Sequence, residues 1–269
     1  MDVRPEIAAF YAEGREATRL AEGLGRLELA RMQEILTAHL PPAPAAIADI
    51  GGGPGAHAAW LARAGYLVDL VDPIPLHVRQ AEEASAGQPE HPIRSCRLGD
   101  AREVPLADAT ADAVLLHGPL YHLTERDDRL RALREAARVL RPGGVLIAVA
   151  IHAFASAIVG LVEGWVWDRH YMVMVRDEIR TGQHRPPPNR RALTTAYFHD
   201  AAGLAAEVTA AGFVHATTLG IEGPGWLVPG FDLALDDPAK RDVVLEIARL
   251  CEREPAHSPH FLAIARRPR

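Results

Sequence analysis

The run Asp49-Ile50-Gly51-Gly52-Gly53-Pro54-Gly55 constrains the fold more than any other stretch of this chain. An apolar strand-like segment, 45–50 (AAIADI), leads into it, and a helical stretch near 55–64 leads out. Glycines in such a turn take backbone conformations closed to other residues and let a ligand approach the main chain. The helix that follows offers free N–H groups to an anion. A tight turn with no ligand is the plainer alternative, and so glycine-rich a run makes it the poorer one.

The flanking pattern extends the same architecture. Short apolar runs recur at 66–71 (YLVDLV), 92–98 (PIRSCRL), 112–117 (DAVLLH) and 144–151 (GVLIAVAI). Helical stretches near 75–86 and 124–140 separate them. Apolar strands alternating with helices predict a parallel sheet covered on both faces. The helix over 124–140 is the best signalled, with Thr124 as a candidate cap and Leu130, Leu133, Ala137 and Leu140 on one face. Upstream, residues 6–40 read as helical, with Leu29, Met32, Leu36 and Leu40 at helical spacing and a stop at Pro41-Pro42. Residues 152–198 interrupt the alternation with aromatics, charges and Pro186-Pro187-Pro188. A helix at 199–211, a strand near 213–221, an Asp237-capped helix and a last strand at 259–266 resume it. The division read from this is 1–44 as an N-terminal helical cap, 45–151 as the ligand-binding core, 152–198 as a helical lid insertion and 199–269 as the C-terminal part of the core.

The glycine loop alone leaves two ligand classes open. Gly51, Gly53 and Ala56 satisfy the dinucleotide spacing G-x-G-x-x-G/A, which admits an NAD-dependent oxidoreductase. Asp72, at the end of the second strand, suits a ribose-hydroxyl acceptor in either case. The later motifs separate the two. Gly99-Asp100-Ala101 closes the third strand, His117-Gly118 closes the fourth, and Leu140-Arg141-Pro142-Gly143-Gly144 follows the next helix. In order and spacing this series resembles the class I S-adenosylmethionine-dependent methyltransferases, in particular their small-molecule branch. The likeness covers residues 45–150 closely and 199–266 more loosely.

That resemblance implies a Rossmann-like, doubly wound α/β fold with a mostly parallel seven-stranded sheet and helical cap additions. It implies S-adenosyl-L-methionine as cofactor. Gly51, Gly52 and Gly53 would pass under its methionine part, Asp72 would accept from the ribose hydroxyls and Pro73 would flank the adenine. Asp100 would meet the adenine amino group beside Ala101, and His117 and Gly118 would face the sulfonium and amino acid. Tyr11 and Arg19, in the amino-terminal helices, are candidates to close the site and contact the methionine carboxylate. Pro54 within the loop is common in that family and awkward for pyrophosphate. The expected reaction is SN2 methyl transfer to a small organic acceptor; a non-catalytic S-adenosylmethionine-binding module is the third reading.

Four side chains are candidate proton acceptors, because open α/β sheets bind ligands beyond the carboxyl ends of their strands. Tyr121 and His122 follow the fourth strand, His152 ends the fifth, and His199 opens the helix after the insertion. Each also has a plain structural role open to it, in packing, capping or a strand end. No HExxH or Cys/His spacing points to a metal, although His152, His170 and His199 are able to converge in a fold of this kind. The insertion carries Phe154, Ile158, Leu161 and Trp165 at helical spacing, read as lid and packing. Its arginines at 176, 180, 185, 190 and 191 are read first as a solvated face and second as a bias towards an anionic acceptor.

Composition excludes several classes. The 269 residues are 48% hydrophobic and 24% charged, enough apolar material for a core, with a net charge of −6. An acidic chain is a poor electrostatic partner for nucleic acid. Lys240 is the only lysine, so 28 of the 29 basic residues are arginine, a coding habit before it is a function. Cys96 and Cys251 form neither a disulfide framework nor a metal cluster. With no signal-peptide layout and no apolar run long enough for a bilayer, the expected setting is the cytoplasm, as a monomer or homodimer with a small-molecule partner.

Overall fold

The computed structural model describes residues 3–187 and 193–269; Pro188, Arg190 and Arg191 lie outside the described residues. Seven strands form one sheet: β1 (Ala46–Ile50), β2 (Leu67–Asp72), β3 (Ser95–Leu98), β4 (Ala111–Leu116), β5 (Leu140–Ile151), β8 (Val214–Gly220) and β9 (His260–Arg266). Their order is β3-β2-β1-β4-β5-β9-β8. The first five run parallel, and β9 is antiparallel to both β5 and β8. The expected fold, Rossmann-like and mostly parallel with seven strands, is the one observed. A separate two-stranded ribbon pairs β6 (Gln183–His184) with β7 (Ala196–Tyr197).

Period-two alternation puts two cores on the sheet. In β4, Val114 and Leu116 face a cluster with Ala132, Leu133 and Ala136 of α7 (Arg126–Val139) and Leu204 of α10 (Ala201–Ala210). Ala113 and Leu115 face the other side, among Met32, Ile35 and Leu36 of α3 (Gly23–His39) and Leu61 of α4 (Ala56–Arg63). Ala81 of α5 (Pro75–Ala86) completes that second layer. Chain order reverses between β1 and β4, and a crevice opens there beyond the strand ends.

The helical reading of 6–40 resolves into three helices. α1 (Pro5–Ala12) and α2 (Glu16–Arg19) are short, with turns at Gly14 (φ +74°) and Gly23 (φ +49°) before α3. Of these three helices, α1 and α2 reach over the crevice, while α3 belongs to the sheet packing and keeps its Glu28 carboxylate behind the cleft wall, beside His117. Thr124 does not cap α7, whose flanking residue is Glu125; the Thr124 hydroxyl instead accepts from Arg4 Nη2 at 2.8 Å. Asp237 does cap its helix, α12 (Pro238–Cys251), which packs on α11 (Phe231–Asp236).

Between β5 and α10 stand α8 (Ala155–Val162) and α9 (Arg169–Thr181). Tyr171 holds them together, its hydroxyl donating to Ser156 O at 2.7 Å, while Leu161, Val162 and Trp167 are exposed. Among the described residues, no helix is long and apolar enough to cross a membrane.

Candidate active-site cleft

The crevice is a cleft of about 1210 Å³, open solvent at its mouth included, and most of its walls come from the motifs along the sheet edge. Gly51 takes φ +77° and Gly53 φ +56°, so the loop after β1 turns back beneath the cleft floor. These two glycines serve different ends. A Cβ on Gly51 would collide with the Pro119 ring, the first residue of α6 (Pro119–His122). A Cβ on Gly53 would meet nothing nearer than Glu16 Cγ at 3.8 Å. Gly51 is required by packing; Gly53 leaves a cradle open to the cleft.

Asp72 ties the loop to the second strand. Its Oδ2 accepts from Gly53 N–H at 2.9 Å, and its Oδ1 accepts from Ile74 N–H at 2.9 Å and lies 3.0 Å from His77 Nδ1. The carboxylate is buried and fixed with an oxygen at the cleft wall. Pro73 and Ala101 line the same region. Asp100 is held by Arg102 through Nε at 3.0 Å and Nη2 at 2.7 Å. Burial opposes its ionisation, and the Arg102 bonds outweigh that and keep its carboxyl below the usual value.

The opposite end of the cleft carries polar atoms without partners. Both oxygens of Asp49 and both nitrogens of His57 are buried and unbonded. Burial pushes the Asp49 carboxyl up to about 7, with Asp72 adding, and pulls His57 down to about 3, with His117 adding. The His57 and His117 rings lie 5.0 Å apart. Buried polar groups are normally satisfied, so unbonded ones facing a cleft mark where a polar ligand belongs. Gly118 (φ +133°, ψ −55°) bends the chain out of β4 close to Gly51 O.

The N-terminal helices supply the roof. The Tyr11 hydroxyl lies 2.5 Å from His122 Nε2, and the Tyr11 ring meets His77 edge-on at 5.0 Å. Arg19 donates to Glu16 from Nε at 2.7 Å and to both oxygens of Glu28. Burial raises the hydroxyl pKa of both Tyr11 and Tyr121. Burial also lowers His122 to about 4, so its imidazole is neutral at pH 7.

The cleft thus gathers Tyr11, Arg19, Gly51, Gly52, Gly53, Asp72, Pro73, Asp100, Ala101, His117, Gly118, Tyr121 and His122. It does not gather His152 or His199. Those two meet each other through the backbone at the ends of β5 and β7, but their rings turn into the protein. His152 Nδ1 accepts from Phe154 N–H at 3.1 Å, and His199 Nε2 lies 3.2 Å from Glu207. His170 is exposed beside Asp168, so the three histidines do not converge. None of the described residues of 152–198 lines the cleft; that segment packs behind Tyr121 through Ala155, Ala196 and Phe198.

Glu16 lines the cleft with Tyr11 and Arg19 of the same amino-terminal region, whereas Glu28, His57 and His77 were not read from the sequence. Glu28 had a readable sign: it shares the helical face of Arg31, Met32 and Ile35, where a carboxylate needs a buried partner. His57 had none, since a histidine in a first helical turn is ordinarily exposed.

Comparison with known proteins agrees with this geometry. Residues 48–148 match the family described as "Methyltransferase domain". An uncharacterized methyltransferase of Mycobacterium bovis is 39% identical over 107 residues, 40% of this chain and 40% of that protein. The matched stretch therefore spans well under half of that relative. A ubiquinone biosynthesis O-methyltransferase of Methylobacterium sp. is 30% identical over 174 residues, 60% of this chain and 68% of that protein. The crystal structure of a SAM-dependent methyltransferase from Methanosarcina mazei shares the fold, with a TM-score of 0.59 at 18% identity over 87% of this chain and 97% of that one. With a family match from the glycine loop through β2, β3 and β4 into β5, and a relative matched over two thirds of its length, the chain belongs to the class I S-adenosylmethionine-dependent methyltransferases.

Proposed function

We propose that the chain transfers a methyl group from S-adenosylmethionine to a small organic acceptor by SN2 displacement, leaving S-adenosylhomocysteine. The observation that carries this reading is the open cradle at Gly53, set between the fixed Asp72 carboxylate and the unbonded Asp49 and His57. The donor set fits the cofactor. Asp72 suits a ribose diol, Asp100 an adenine amino group, and Pro73 and Ala101 the faces of the base. Arg19 suits a carboxylate, and the bare oxygens of Asp49 suit an ammonium. Gly51, Gly52, His117 and Gly118 border the amino-acid end.

When bound, S-adenosylmethionine supplies a methyl group on a positively charged sulfur that leaves as a neutral thioether. The chain's part is to align the nucleophile, exclude water and remove a proton where the acceptor carries one. Helices α1 and α2 roof the cleft and limit solvent there. Tyr121 and His122 are the candidate groups beside the acceptor space. The neutral His122 imidazole is able to take a proton from an O–H or N–H, and Tyr11 fixes its ring from the roof. His152 and His199, bonded to Phe154 N–H and set against Glu207 away from the cleft, are not placed to act as bases.

The likeness to an O-methyltransferase of ubiquinone biosynthesis makes hydroxylated aromatic compounds the first acceptor class to test. Calorimetry with S-adenosylmethionine, S-adenosylhomocysteine and NAD tests the cofactor assignment. Micromolar binding of NAD without binding of either adenosyl ligand would overturn it. An acceptor screen then separates an enzyme from a binding module.

A further inference from the structure

Behind the cleft wall lies a set of charged side chains that the methyl-transfer reading does not use. Glu28 of α3 is wholly buried, and groups from three other parts of the chain converge on it. Arg19 Nη1 donates to its Oε2 at 2.5 Å and Nη2 to its Oε1 at 3.0 Å. His117 Nε2 lies 3.2 Å from Oε1, and His260 Nδ1 lies 3.7 Å from Oε2. His260 is itself clamped by the buried Glu222, which accepts from its backbone N–H at 3.0 Å and sits 2.5 Å from its Nδ1. Arg19 and His117 line the cleft; Glu28, Glu222 and His260 do not.

A guanidinium carries five N–H donors in a rigid fork. Three of Arg19's are taken, one by Glu16 and two by Glu28, and the side chain remains partly exposed at the cleft. A flexible arginine clamped on one edge meets an incoming carboxylate with its remaining donors already oriented. That lowers the entropy lost on binding. We propose that Glu28, backed by the His260–Glu222 pair and with His117 beside it, is a positioning residue that holds Arg19 in place for the amino-acid part of the bound cofactor. This inference rests on the methyltransferase reading.

Charge balance supports it. Burial disfavours the charged form of both Glu28 and His260. The charge of Arg19 outweighs it for Glu28, and the carboxylates of Glu28 and Glu222 outweigh it for His260. The groups facing His260 are Glu28 from α3, Glu222 from the segment after β8 and Arg19 from α2. The same three side chains, Glu28, Glu222 and His260, lie close enough to hold a divalent cation. Arg19 already occupies both Glu28 oxygens, so an ion pair network is the better account.

The test is calorimetry on the full chain with two probes, S-adenosylhomocysteine and 5′-methylthioadenosine, which keeps the nucleoside and sulfur but lacks the amino-acid part. In Glu28→Gln, binding of S-adenosylhomocysteine should weaken at least about tenfold while methylthioadenosine binds as to wild type. Glu222→Gln should act in the same direction more weakly, and it keeps the test alive if Glu28→Gln does not fold. Equal loss for both probes would mean a merely structural role and overturn the proposal. Unchanged or tighter binding of S-adenosylhomocysteine would also overturn it, since Glu28 would then compete with the cofactor for Arg19. So would a wild-type affinity abolished by EDTA and restored by Mn²⁺, which would assign the cluster to a metal. If wild type binds neither probe, the methyltransferase reading itself falls, and the proposal with it.

Discussion

Tyr11 and His122 stand 111 positions apart in sequence and share one hydrogen bond, 2.5 Å from hydroxyl to Nε2. It joins the first helix to the segment after β4, across the mouth of the cleft. Few apolar contacts hold that roof: Ile7 is the buried residue of α1, and α2 has none. Polar ties therefore decide whether the roof stays closed.

Tyr11→Phe removes one tie and keeps the ring. We expect S-adenosylhomocysteine to bind about fivefold more weakly, the scale of ~1 kcal/mol for one hydrogen bond. Amide exchange over Pro5–Ala12 should quicken while the global unfolding midpoint holds. Unaltered exchange there would mean that the bond does not fasten the roof.

Arg129 carries a different kind of weight. It is buried under the insertion, donates to Glu207 at 2.9 and 2.7 Å and to the carbonyls of Leu123 and Thr124, and lies 3.6 Å from the Tyr197 ring centre. Arg129→Met takes both guanidinium bonds from the buried Glu207 carboxylate and leaves it His199 Nε2 at 3.2 Å and Arg126 at 3.9 Å. The expected loss is about 3–5 kcal/mol in urea unfolding, the range for breaking a buried pair from one side. A loss below ~1 kcal/mol would show that His199 or water compensates the carboxylate and that Arg129 is not its main partner.

Much of this architecture is legible in local sequence. The strand runs, the glycine loop and Asp237 before Pro238 are short-range signals, and each becomes the element it announces. Gly14 and Gly23 were equally local, and they divide the 6–40 stretch because each takes a positive φ. The cleft-lining motifs were legible through their order and spacing, which resemble those of the methyltransferase family, while the rule that sheets bind ligands beyond strand ends supplied the four proton-acceptor candidates. That rule over-reached at His152 and His199, which sit at strand ends with rings held inward by Phe154 N–H and Glu207. Glu28, Glu222 and His260 were hidden for the opposite reason. They come from three distant segments, and only the folded chain brings them together.

Asp49 makes stability depend on pH in a direction that can be isolated. Burial, with Asp72 adding, raises its carboxyl to about 7, well above the ordinary value near 4. Between those values the folded chain keeps a proton that the unfolded chain has released, so this group costs stability as pH rises from about 4 to about 7. His57 and His122 act oppositely: burial lowers them to about 3 and about 4, so they cost stability as pH falls below about 6.5. The wild-type curve mixes both slopes. The difference between Asp49→Asn and wild type removes the histidines. It should grow with pH to about 7 by roughly 2–4 kcal/mol and then level. A flat difference would mean that Asp49 is solvated.

The two loop glycines separate folding from binding. At Gly51 a methyl group meets the Pro119 ring and His117 O under a positive φ, so Gly51→Ala should lose about 3 kcal/mol of stability and binding with it. At Gly53 the positive φ remains but the space is empty, so Gly53→Ala should lose only about 1–2 kcal/mol. The methyl group there would project into the cradle between Asp72 and Glu16. S-adenosylhomocysteine affinity should fall at least about tenfold in a chain that still melts cooperatively. Thermal unfolding beside calorimetry reads both effects. A Gly53→Ala protein that binds S-adenosylhomocysteine as wild type does would show that the cofactor lies elsewhere, because no ligand seated on that backbone tolerates a methyl group at the point of closest approach.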